Sequence, residues 1–163
     1  MKLYIKQRLF TWGDKFDVKD EEGASKYYIE GEVFSLPHRI HIYNEAHEQV
    51  AMVARKLLNL TPAFQVYKDG VQTDTIQKYI KLRPEYRLIN KGWDIKGDFF
   101  AHDYMVTNRN GDLIARVHKV WMSWGDSFEI EFSDPSNEVD IITIVLAIDA
   151  VMDSNSSAAT ASS

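Results

Sequence analysis

The 163-residue chain has no cysteine, which excludes disulfides, thiolate catalysis and cysteine-ligated zinc. It also lacks an excess of positive charge. With 19 Lys and Arg against 24 Asp and Glu, the net charge of -5 argues against a general nucleic-acid binder, because neutralising phosphates takes surplus cations. The opening "MKLYIKQRLF" is broken by Lys2, Lys6 and Arg8 and never supplies the apolar run of a signal peptide. No apolar run reaches the roughly 20 residues that cross a bilayer, so a cytoplasmic protein without a transmembrane segment is expected. A glycine-rich phosphate loop, a nucleophile elbow and an HExxH pair are absent as well, which lowers the expectation of an enzyme.

What is present points to strands. The 8 Phe, 8 Tyr and 4 Trp favour a sheet that buries large flat side chains, and the length suits one domain with a sizeable core. "RIHIY" (39–43), "YMVT" (104–107) and "FEIEF" (128–132) read as strands, separated by turn signals at "KDG" (68–70), "NKG" (90–92) and "RNG" (109–111).

One phrase occurs twice. Trp12, Gly13, Asp14 and Phe16 of "TWGDKFDV" return as Trp124, Gly125, Asp126 and Phe128 of "SWGDSFEI". At a constant offset of 64, Asn44 meets Asn108, Ala51 meets Ala115, Val53 meets Val117, Arg55 meets Lys119 and Phe64 meets Phe128. The N-terminal segment joins at offset 48, with Ile5 over Val53 and Phe16 over Phe64. Two copies and a fraction of a 64-residue unit predict a closed barrel assembled from similar strand groups. The Gly-Asp of the phrase then belongs to a hairpin turn and not to a ligand site.

A different pattern follows "SDPSNE". In "VDIITIVLAIDAVMDS" (139–154) almost no polar face remains, so a helix there must be enclosed by protein, with Ser136 or Asn137 as cap and Glu138 and Asp140 in its first turn. A buried strand is the alternative, since the segment is rich in β-branched residues. "SNSSAATASS" (154–163) reads as a disordered low-complexity tail, leaving 1–153 as the single domain, with its central helix at about 138–153.

The order of these segments resembles the LURP-one-related family, which shares the tubby-like fold with tubby C-terminal domains and phospholipid scramblases. "YIKQRLFTWGDKFDVKDEEG", "YIEGEVFSL", "WDIKGDFFAHDYMV", "GDLIARVHKVWMSWGDSFEIEF" and "DIITIVLAIDAVM" carry the resemblance across about residues 2–153. It implies a mainly β fold, a closed antiparallel barrel of about twelve strands enclosing the hydrophobic C-terminal α-helix. It implies little chemistry: the function of the family is largely unknown, tubby domains bind phosphoinositides and scramblases act at membranes. The cysteine-rich palmitoylation segment of scramblases is missing, and no lipid-binding residue transfers.

Two groups of residues are candidate sites. Odd-numbered positions of the repeated strand read Leu3, Ile5, Gln7, Leu9; Ala51, Val53, Arg55, Leu57; and Ala115, Val117, Lys119, Trp121. If this face points inward, Arg55 and Lys119 are interior cations that need partners, and Asp140, Asp149 and Asp153 of the helix are candidates. The opposite alternation, with Lys6, Lys56 and Arg116, would place a different set inside. The second group is Lys78, Lys81, Arg83, Arg87, Lys91 and Lys96, interleaved with Tyr79, Tyr86 and Trp93, a mixture suited to an anionic phospholipid surface. A solvated barrel wall has the same composition.

Histidines and acids promise less. His38 and His41 lie on opposite faces of a strand, so a metal site is not expected, and "DVKDEEG" (17–23) reads as a solvated turn. No cofactor is expected. The function that follows is a non-enzymatic binding or regulatory module for a membrane lipid headgroup or a protein partner, cytoplasmic or peripheral at a membrane. A small-molecule enzyme or ligand-binding protein, with a polar pocket at the barrel end near Arg55 and Lys119, is the alternative.

Overall fold

A computed structural model of the chain describes residues 1–6, 15–32, 36–123 and 125–161. Gln7, Leu9, Trp12, Gly13, Asp14 and Trp124 lie outside the described residues. Twelve strands run in chain order: β1 Lys2–Lys6, β2 Lys15–Lys19, β3 Ser25–Gly31, β4 Arg39–Asn44, β5 Gln49–Arg55, β6 Ala63–Lys68, β7 Val71–Tyr79, β8 Glu85–Leu88, β9 Trp93–Asp98, β10 Asp103–Thr107, β11 Leu113–Met122 and β12 Gly125–Phe132. Each pairs antiparallel with its neighbours in the sequence, and β1 pairs with β12 from Lys2↔Glu131 to Lys6↔Ser127, closing the barrel.

Alternation decides what faces inward. Leu3 and Ile5, Ala51 and Val53, and Ala115 and Val117 are all buried, as the odd-numbered face requires. A helix α1, Glu138–Ala161, follows a 3₁₀ turn at Pro135–Asn137 that is itself capped by Asp134. The side chain of Asp134 accepts from the Ser136 N–H at 2.9 Å. Every residue from Ile141 to Ile148 is buried, which covers all angular faces of a helix and leaves none for water. The backbone of α1 comes closest to β5, where the small Ala51 leaves room. Where a disordered tail is expected from residue 154, the structure continues the helix to Ala161; alanine, which recurs there, is the strongest helix former.

Two hairpins aligned in the sequence are built alike. In β4–β5, Asn44 Oδ1 accepts from the Glu48 N–H at 2.9 Å, and Asn44 Nδ2 donates to Glu48 Oε2 at 2.9 Å. In β10–β11, Asn108 Oδ1 accepts from the Asp112 N–H at 2.9 Å, and Asn108 Nδ2 donates to Asp112 Oδ2 at 2.8 Å. Both have a register shift just before the turn, at Ile42/Tyr43 and at Val106/Thr107.

The meander divides the connections between two ends. One, here the turn end, gathers the tight turns 20–24, 45–48, 69–70, 89–92 and 108–112, together with Met1 and the entry to α1. The other, the loop end, gathers, among the described residues, 32 and 36–38, 56–62, 80–84, 99–102 and 123.

Candidate functional site: the loop end of the barrel

The turn end is occupied with its own structure. Asp20, Glu21, Glu22, Glu45, Glu48, Asp69, Asp112 and Asp134 make it acidic. The helix start is tied down there by charge: Lys26 Nζ lies 2.7 Å from Glu138 Oε1, and Lys91 Nζ lies 2.7 Å from Asp140 Oδ2, with Lys68 on the other oxygen of Asp140. Both carboxylates sit in the first helical turn, where the macrodipole also favours them. Asp140 thus has partners on the hairpins, but they are Lys68 and Lys91 and not Arg55 or Lys119.

The loop end has the opposite character. Leu58, Leu60 and Leu82 are fully exposed, at 103%, 105% and 102% of the reference area, and Leu36, Leu57, Ile80, Phe100 and Trp121 stand out in the same direction. Among the described residues of these connections, Lys56, Lys81 and Arg83 accompany them, against one acid, Glu32. Exposed apolar residues scattered singly are ordinary, but a group concentrated at one end of a barrel marks an interaction surface.

Topology sorts the cationic segment 78–96. It forms β7, β8 and β9, so it crosses the barrel and returns. Lys78, Lys81, Arg83 and Lys96 belong to the loop end; Arg87 lies on the wall, bound to Asp94 at 2.7 Å and over the Tyr79 ring at 5.3 Å. Lys91 is at the turn end, over Trp93 at 4.4 Å as well as on Asp140. Lys81 is engaged with Glu85, and Lys78 lies 5.8 Å from the centre of the Tyr86 ring. The six cations are therefore not one patch.

Arg55 and Lys119 are also placed differently from the interior site expected of them. Both follow the inward parity, but Arg55 is the last residue of β5, and Lys119 lies on the stretch of β11 beyond Val117, where pairing with β10 has ended and only β12 runs alongside. Arg55 is half-buried, while Lys119 is exposed and reaches Asp126 on the neighbouring strand at 2.7 Å. Leu57, expected on the inner face, is in the 56–62 loop because β5 stops at Arg55. Trp121 is 80% exposed at the far end of β11.

Inside the barrel near this end, Asp149 of the helix is pushed up to about 7, by burial first and then by Asp153. The Tyr104 hydroxyl is held well above its usual range by burial, with Asp149 contributing. His102, stacked on Phe128 at 4.2 Å, is pushed down by burial and by Lys119.

His118, Glu129 and Glu131 bring three donor atoms within 4.8 Å of one another on β11 and β12. The ammonium of Lys2, 2.9 Å from Glu129 and 3.1 Å from Glu131, already supplies the cation that this cluster needs. Burial pushes the Glu129 carboxyl up, but hydrogen bonds from Lys2 and Tyr4 outweigh it and hold it below the usual range. The hydrogen bonds that Lys2 donates to Glu129 and Glu131 in turn raise its ammonium. His38 and His41 do not converge: His41 bridges Gln49 and Glu32, and His47 stacks on Tyr28 at 4.5 Å.

The loop leucines were the residues that strand periodicity missed. "KLLNLTP" carried a signal in Asn59 and Pro62, which end a strand and leave the neighbouring leucines without an inner face.

A closed twelve-strand antiparallel barrel filled by one apolar helix defines the class of protein. The sequence model of the LURP-one-related family matches residues 1–149, and the chain belongs to that family. It is 23% identical over 153 residues to the uncharacterized protein YxjI of Bacillus subtilis (strain 168), covering 93% of this chain and 94% of the relative. Its fold is similar to that in the X-ray structure of the Arabidopsis thaliana protein AT5G01750, with a TM-score of 0.63 at 14% identity over 91% of this chain and 90% of the other.

Proposed function

We propose that the protein is a peripheral membrane-docking module whose loop end seats on an anionic lipid surface. The observation that carries this reading is the concentration of Leu58, Leu60, Leu82, Ile80 and Phe100 at one end of the barrel, accompanied by Lys56, Lys81 and Arg83. Leucines inserted at the acyl boundary recover the hydrophobic free energy they forgo in water, about 1.5–3 kcal/mol for each side chain fully withdrawn. Each cation near a negative leaflet adds about 1 kcal/mol. The acidic turn end supports the same orientation, since an anionic surface repels it and turns the loop end inward. No helix among the described residues is long and apolar enough to cross a membrane; the contact proposed is one of seating at the lipid surface.

Flotation with neutral, phosphatidylserine and phosphoinositide vesicles, at low and physiological salt, tests the proposal. Binding to anionic vesicles is expected to fall with salt, and the Lys56→Ala, Lys81→Ala, Arg83→Ala variant to lose about two orders of magnitude, from about 1 kcal/mol per charge. No flotation under any condition would sink it and turn the search to a protein partner for the same apolar end.

A further inference from the structure

Between the 80–84 loop and the 99–102 turn, the outer wall at the loop end is hollowed into a groove of about 870 Å³, within the range of small-molecule sites. Its floor is thin for a specific reason. Gly97 has φ 152°, and a Cβ there would come within 2.4 Å of the Asp103 carbonyl and 2.5 Å of Tyr104 Cα, so β9 lies directly against β10 with no side chain between. The next two residues diverge. Phe99 turns in to meet Tyr86 at 4.9 Å and Tyr104 at 5.3 Å, while Phe100 stays 80% exposed on the rim, with Met105 on the wall below.

The polar lining is lopsided in hydrogen-bonding capacity although not in formal charge. Arg83 enters no ion pair among the described residues. Arg116 is 3.7 Å from Asp103, and Lys96 is 3.9 Å from Glu85 and 3.7 Å from Asp94, distances at which the N–H donors remain unspent. Two of the three lining carboxylates are used, Glu85 being buried and engaged by Lys81 and Asp98 accepting the Ala101 N–H at 3.0 Å, while Asp103 stands 3.7 Å from Arg116 at the edge of the groove. Available donors beside an aromatic and thioether wall fit a molecule with an anionic head and an apolar body.

We propose that this groove binds a single molecule of a phosphate-bearing amphiphile, its head held by Arg83, Lys96 and Arg116 and its hydrocarbon lying over Phe100 and Met105. This deepens the membrane-docking reading and rests on it, because the groove opens at the end that would face the lipid.

Isothermal titration without vesicles tests the site, using dodecyl phosphate below its micelle concentration, inorganic phosphate, and dodecyl maltoside as a neutral amphiphile with the same chain. One-to-one binding of dodecyl phosphate, at least tenfold tighter than either control, is expected. The Arg83→Ala, Lys96→Ala, Arg116→Ala variant should lose at least tenfold, and Phe100→Ala alone several-fold. No saturable binding, or binding that both variants leave within twofold, overturns the site. Inorganic phosphate binding as tightly as dodecyl phosphate overturns the amphiphile as its ligand. The two proposals fail separately. Protein that floats with vesicles but ignores monomeric dodecyl phosphate keeps the docking reading and loses this one, and the reverse result loses docking and keeps the groove.

Discussion

The two ends of the barrel solve the same problem, reversing a strand, with opposite chemistry. At the turn end, Asp20 accepts the Glu22 and Ala24 N–H groups at 3.0 and 2.8 Å, and Asn44 and Asn108 do the same in their own turns. Acidic and amide side chains there satisfy the backbone locally, and the remaining charge anchors the helix start through Lys26, Lys68 and Lys91. At the loop end, Leu58, Leu60 and Leu82 satisfy nothing and cover nothing. Residues at the turn end are explained by the fold; those at the loop end need something outside it.

Breaking the turn end should therefore cost stability. Removing both lysines from Asp140 (Lys68→Ala, Lys91→Ala) leaves a carboxylate that is only 4% exposed without a counter-charge. A loss of about 2–4 kcal/mol is expected, discounted from the usual buried pair because the lysines themselves are partly exposed. Denaturant midpoints measure it. Adding Asp140→Asn to the double variant should restore most of the loss; a triple variant as weak as the double would show that packing of the lysine stems, and not the charge, holds this end.

Breaking the loop end should cost binding and spare the fold. Leu58→Ser, Leu60→Ser, Leu82→Ser is expected to change stability by no more than about 0.5 kcal/mol, as for surface positions without contacts. Its vesicle flotation should fall by about 100-fold or more, from the lost insertion of three side chains. A large drop in melting temperature with unchanged flotation would invert the comparison between the ends.

The barrel was legible in the sequence because period-2 alternation and turn chemistry are local signals, and the helix was legible because "IITIVLAI" has no polar face to offer water. Local signals end where strands end. Arg55, Leu57, Lys119 and Trp121 continue the inward parity on paper, but the closed wall stops beneath them, and parity carries no information about where a barrel terminates. The cationic segment divides for a related reason: residues 78–96 are contiguous in sequence, yet β7, β8 and β9 carry Lys91 to the opposite end from Arg83. The groove depends on Gly97 meeting Tyr104 and on Arg116 from another hairpin, a convergence that no single stretch encodes.

A smaller effect probes the helix at its loop-end half. Asp149 has a folded pKa raised to about 7 from 3.8, so the folded state holds a proton that the unfolded chain has released. Its contribution is fully present below pH 4 and is lost as pH rises through 7. Asp149→Asn keeps the neutral form at every pH. At pH 8 it should raise stability by about 1–2 kcal/mol, a discounted figure because the group is not fully buried, and it should change little at pH 4. Equal gains at both pH values would mean that the carboxylate is not penalised by its site.

The smallest expected effect compares two hairpins of the turn end with each other. Asn44 and Asn108 occupy aligned positions, accept the same backbone N–H four residues on at 2.9 Å, and follow the same register shift. Asn108 alone also accepts the Asn110 N–H at 2.9 Å. If these side chains act only through the backbone groups they satisfy, Asn44→Ala should cost about 1 kcal/mol, and Asn108→Ala that plus a few tenths for the second acceptor bond. That corresponds to about 2–4 °C in melting temperature for a chain of this length. Vesicle flotation should stay at the wild-type level for both, because neither residue is at the loop end. A turn-end asparagine that shifted flotation without shifting the melting temperature would mean that the two ends are not independent, and that the helix between them transmits what happens at one to the other.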